Sequence, residues 1–85
     1  MLHKVFTVFD AKAESYLPPF YQVSSGMACR VFEDTVNDPG HQFHRHPGDF
    51  TLFEVGTFDD QSCTFELLPT PHSLGVAIEF KKGEV

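Results

Sequence analysis

The 85-residue sequence has no tryptophan, only two cysteines, and six lysines and arginines against twelve aspartates and glutamates. Each shortage excludes something. A formal net charge of −6 argues against indiscriminate binding to duplex DNA or RNA, because such affinity rests mainly on neutralising phosphates. It leaves room for a local basic face, since folding could gather some of Lys4, Lys12, Arg30, Arg45, Lys81 and Lys82. Two cysteines are too few for a disulfide framework. Cys29 in a helix-like stretch and Cys63 in a strand-like one read as reduced, buried thiols. No apolar run approaches membrane-spanning length, and the N-terminus lacks the basic-then-apolar order of a secretory signal, so a cytosolic chain is expected. Neither a phosphate-cradling glycine loop, nor paired carboxylates, nor a nucleophile beside a base stands out. The expectation is a non-enzymatic protein with no cofactor.

Aromatic residues, by contrast, are abundant: ten phenylalanines and two tyrosines. Each buried ring removes a large apolar area from water, so a core can form without disulfide or metal staples. The length fits a single domain over residues 1–85. A domain this small is often completed by a second copy, and a homodimer is expected. Leu2 to Phe9 reads as a strand with apolar side chains on both faces, which offers an edge for pairing.

Farther along, Tyr16-Leu17-Pro18-Pro19-Phe20-Tyr21-Gln22-Val23 must be extended and peripheral, because two prolines remove two donors. A helix opens at Ser24 or Ser25, either of which can cap it. Ala28, Val31, Phe32 and Val36 share its apolar stripe, and Asp38-Pro39-Gly40 stops it. Phe50 to Thr57 reads as a strand. Cys63 to Leu68 reads as its hairpin partner, with Cys63, Phe65 and Leu67 inward. Pro69-Thr70-Pro71 then breaks the pattern, and residues 72–82 suit a second helix, with a strand from Val76 to Phe80 as the competing assignment. The fold expected is α+β: a small antiparallel sheet of three to four strands packed against one or two helices.

The segment from His41 to Asp49 holds three histidines, an arginine and a phenylalanine in a turn-rich loop. Loops of this kind carry function more often than packing does. His41, His44 and His46, with Asp49 or His72, have tolerable spacing for a metal, but no cysteine pair or His-Glu-x-x-His signature accompanies them. Hydrogen-bonding or solvated histidines are the plainer reading, and no metal site is assigned. The same loop suits single-stranded nucleic acid, with a ring or imidazole stacking on a base and Arg45 on a phosphate.

Five motifs, taken in order, carry a resemblance. They are Lys4-Val5-Phe6-Thr7-Val8-Phe9-Asp10, Leu17-Pro18-Pro19-Phe20, the run from Val31 to Pro39, the run from His46 to Asp59, and the run from Ser73 to Phe80. In these the chain resembles the small nonstructural protein of gokushovirus-type microviruses, tailless phages with circular single-stranded DNA genomes. The resemblance extends from Lys4 to Lys82. It implies DNA binding or a role in viral single-stranded DNA synthesis in the host cytoplasm, and it brings no catalytic residues. The expected nucleic-acid-binding set is Lys4, Lys12, Arg30 and Arg45 on phosphates, with Phe43, His44, His46 and Tyr21 stacking on or bonding to bases. The acidic balance departs from that expectation. It leaves a second route, in which the protein is an adaptor for the phage replication initiator or procapsid proteins without touching nucleic acid.

Overall fold

A computed structural model describes residues 1–82 of the chain. The elements are, in order, β1 (Leu2–Asp10), β2 (Ser15–Tyr16), β3 (Phe20–Gln22), α1 (Ser25–Val36), α2 (Gln42–Arg45), β4 (Phe50–Asp59), β5 (Thr64–Val76) and α3 (Ala77–Phe80). The architecture is broadly α+β, with one more strand than expected: a five-stranded antiparallel sheet and three short helices. β1 lies inside the sheet. It pairs with β4 along one side and with β2 and β3 along the other, and β5 follows β4 at the far edge. The expectation that β1 offers a free edge is therefore corrected, because both of its hydrogen-bonding sides are taken. The sheet is long for so small a chain, and the molecule measures 46 × 24 × 19 Å.

α1 begins where the serines predict. Ser24 is the cap, its hydroxyl accepting the Met27 N–H at 3.1 Å. The helix buries Ala28, Phe32 and Val36 against Phe6, Val8, Phe50 and Leu52 of the sheet. Asn37 ends it and also ties down the C-terminal segment. Its side-chain amide donates to the Glu33 carbonyl at 2.8 Å and to the Phe80 carbonyl at 3.1 Å, while its oxygen accepts the Lys82 N–H at 2.8 Å. Pro18 and Pro19 sit between β2 and β3, two very short strands along β1, as their missing donors require.

The segment from Cys63 onward departs most from its sequence reading. Cys63 is exposed, with φ 58, in the turn before β5 rather than inward in a strand. Phe65 and Leu67 are 50 % and 66 % exposed, so that stretch has no buried side. Pro69 and Pro71 do not end the strand. Leu68 to Pro71 bulge out opposite Val55, and pairing resumes at His72 with Glu54. Of residues 72–82, those up to Val76 are strand and only Ala77–Phe80 are helix, so neither assignment over the whole stretch holds. Gly75, at φ +137, is the last residue but one of β5, where a side chain would meet Phe80 and Glu79. Among the described residues, no helix is long and apolar enough to cross a membrane.

Candidate nucleic-acid interface

The register of the ladders sorts the sheet's side chains into two faces, because directly paired residues project on the same side. One carries Phe6, Val8, Phe20, Phe50 and Leu52 and is covered by α1. The other carries His3, Val5, Thr7 and Phe9 of β1, Tyr16 and Tyr21 of the short strands, Thr51, Phe53 and Phe58 of β4, and Phe65, Leu67 and Ser73 of β5. No helix residue packs in the ring clusters on this second face among the described residues. It also carries no lysine, arginine, aspartate or glutamate at the paired positions.

Two groups of rings cover it. Near one end, Tyr16 packs against Phe9 at 4.8 Å between centroids and against Phe53 at 6.0 Å. Near the other, Phe58 is flanked by Phe65 at 4.6 Å, Tyr21 at 5.9 Å and His3 at 6.4 Å. Val5 and Thr7 between them are buried, and the Thr7 hydroxyl donates to the Leu17 carbonyl at 2.7 Å. Tyr16 is 54 % and Tyr21 43 % exposed. These two rings stay about half in water because no helix among the described residues lies over them. Of this set the sequence points to Tyr21 alone. The signal for the rest was the apolar side chains on both faces of β1, which requires a second covered or functional surface.

The cations do not gather. Lys4 projects on the helix-covered side and pairs with Glu54 at 3.5 Å. Arg45 donates to the Gly40 carbonyl at 3.1 Å. Lys81 donates to the His44 carbonyl at 3.4 Å, and Lys82 pairs with Glu33 at 3.8 Å. Arg30 is exposed on α1. Lys12 lies in the turn after β1, beside His46, Gln42, Asp10 and Asp49 around an open pocket of about 440 Å³. The single basic cluster expected from the sequence is replaced by separated charges, two of them neutralised by carboxylates.

The histidine loop is largely structural. Phe43 is only 7 % exposed and belongs to the core, packed on Phe32 and Phe50. It is not available to a base, and that expectation is corrected. α2 is a single turn that exists to bury this ring. His41 caps it, its Nδ1 accepting the Phe43 N–H at 3.1 Å, which puts the proton of the neutral ring on Nε2. His44 Nδ1 lies 3.1 Å from the Val36 carbonyl, which can only accept, so that nitrogen carries a proton. His46 is exposed at the edge of the pocket. Among the described residues, no group of three or more histidine, cysteine or acidic side chains is arranged to hold a metal ion.

At the end of the sheet, Asp60 accepts the N-terminal amine and the His3 Nε2, each at 2.8 Å. The bond from the amine, then that from His3, holds the Asp60 carboxyl below its ordinary range, while the bond to Asp60 raises the amine. Burial raises the Cys29 thiol.

A family model described as Phage ORF5 protein matches residues 3–80. No curated protein and no solved structure matches the chain.

Proposed function

The chain belongs to the Phage ORF5 protein family, and from that premise we propose that this bacteriophage protein is a non-enzymatic, microvirus-type nonstructural protein that binds single-stranded DNA during its synthesis. The observation that carries the reading is the bare, ring-covered face of the sheet. Single strands are held sequence-independently by stacking bases on aromatic side chains. The Tyr16 and Tyr21 rings, each about half exposed and at separate places on one face, are the stacking positions, with Phe53, Phe58 and Phe65 behind or beside them. Phosphates then meet few cations, since α1, which carries Arg30, lies over the opposite face of the sheet. Lys12 and Arg30 have no carboxylate partner among the described residues, and Arg45 has only a carbonyl.

Such binding is dominated by stacking, so its salt dependence is shallow. Fluorescence anisotropy of a labelled single strand, titrated at several salt concentrations, measures this. The logarithmic slope counts the phosphates met and is expected near one or two. Tyr16→Ala with Tyr21→Ala should weaken binding by about tenfold or more, since each stacked base is worth about 1–3 kcal/mol. Lys4→Ala should leave the slope unchanged, because that ammonium already faces Glu54. No binding at low salt, or full binding by the double tyrosine variant, would reject the interface.

A second reading is favoured by one specific feature, the absence of charge from the bare face of an acidic protein. An adaptor that docks this face on the replication initiator or a procapsid protein would need no cations there. Failure to bind DNA at any salt, with retention of such a partner that Tyr16→Ala and Tyr21→Ala abolish, is the outcome that selects it.

A further inference from the structure

We propose that the protein pairs with a second copy of itself through the outer edge of β5, over Thr64 to Leu68, in a closed antiparallel dimer. The two edges of the sheet are built differently. Along β1 the edge is broken into β2 and β3, of two and three residues, with Pro18 and Pro19 between them. That is how sheets blunt an edge. At the other side β5 is thirteen residues long and pairs with β4 alone, so its outward N–H and C=O groups have no strand partner among the described residues. On it Phe65, Leu67 and Leu68 are exposed.

The segment also selects its occupant and its register. Cys63, at φ 58, closes one end, and Pro69, which lacks an N–H, closes the other. Five residues remain between them. The antiparallel register that uses all five with a twofold axis centres on Glu66. It sets Phe65 opposite Leu67 of the second copy, Leu67 opposite its Phe65, and Thr64 opposite its Leu68. The row is self-complementary, as a twofold interface requires. Because the far edge is blunted, addition stops at two copies rather than running on as a fibre. The pairing would join both bare faces into one surface, yet it stands whether or not that surface binds DNA.

One charge lies in the segment, Glu66, and the axis brings it against its own copy. Like charges directly opposite oppose pairing, so Glu66 sets the affinity of the dimer.

The test uses the full chain with Cys29→Ala and Cys63→Ser, so that one introduced cysteine reports position. Residues directly opposite have Cα atoms about 4.5–5.5 Å apart, within disulfide reach. Glu66→Cys should give a covalent dimer on mild oxidation. Thr64→Cys should not, since the two copies of residue 64 would stand about 13 Å apart along the strands. In sedimentation equilibrium without cross-linking, Glu66→Gln should tighten association and Phe65→Asp should weaken it about tenfold or more. Phe65 is half exposed, so its variant should still fold, which circular dichroism verifies. Monomers at all concentrations, or cross-linking at residue 64 as efficient as at residue 66, would overturn the proposal. Both readouts are taken without DNA, so they fail or succeed separately from the stacking interface.

Discussion

The two faces of the one sheet both carry aromatic rings but employ them differently. On the covered face, Phe6 and Leu52 are wholly buried beneath α1, and Phe50, Phe32 and Phe43 close around them. On the bare face, rings of the same kinds pack on each other, and Tyr16, Tyr21 and Phe65 remain about half in water. An aromatic residue therefore does not by itself mark a core. What separates the two uses is whether an amphipathic element is left to lay over them, and here the longest helix among the described residues, α1, is already committed.

The sharpest way to break that comparison is to truncate one ring on each side. Phe6→Ala empties a site closed on all sides and should cost about 3–5 kcal/mol. For a domain this small that is a large part of its stability, so the variant should be largely unfolded or melt far earlier in a urea titration. Tyr21→Ala removes a ring that leans edge-on against Phe58 and should cost about 1 kcal/mol. Equal losses at the two positions would mean that the bare face is covered in solution, by a partner or a second copy.

Adding atoms to the bare face should hurt more than removing them at one point. Gly56 follows the bulge at Val55 and sits opposite Leu67. A side chain there would run into the Glu66 carbonyl and come within 2.8 Å of the Leu67 Cα. Those are backbone atoms, so β4 and β5 must separate. Gly56→Ala should cost about 1–3 kcal/mol, whereas Gly48→Ala, with nothing within 4 Å of the added carbon, should be nearly neutral by thermal melting.

Much of the covered face was legible in the sequence, because one period decides it. The 3.6-residue spacing of Ala28, Phe32 and Val36 and the cap at Ser24 predict α1 and its buried side. The twofold alternation of Phe50 and Leu52 predicts the strand beneath it. The bare face was legible only in part. Alternation in β1 shows two apolar sides, yet cannot say which one a helix will cover. β5 departs from its sequence pattern because prolines normally end strands, and here a four-residue bulge at Leu68 to Pro71 absorbs them. Phe43 departs from its expected place because a ring among histidines looks like a loop feature. One helical turn, capped by His41, turns it into the core instead. The cations were beyond reach of the sequence altogether, since their partners Glu54 and Glu33 lie far along the chain.

The smallest effect lies at the end of the bare face, where Asp60 holds His3 and the N-terminal amine. Both charges are exposed, so the clamp contributes little at neutral pH. Its signature is instead in the shape of the pH dependence. The Asp60 carboxyl is lowered in the folded state. Its contribution is present above its ordinary value of 3.8 and lost as pH falls through the lower folded value. The amine is raised, so its contribution is present below 8.0 and lost as pH rises through the higher folded value. Asp60→Asn should therefore lower the melting temperature slightly between those limits and leave it unchanged in strong acid, where the carboxyl is already neutral. A loss that persists in strong acid would assign Asp60 a packing role rather than an electrostatic one. It would also extend the tightly packed part of the molecule to the end of the bare face.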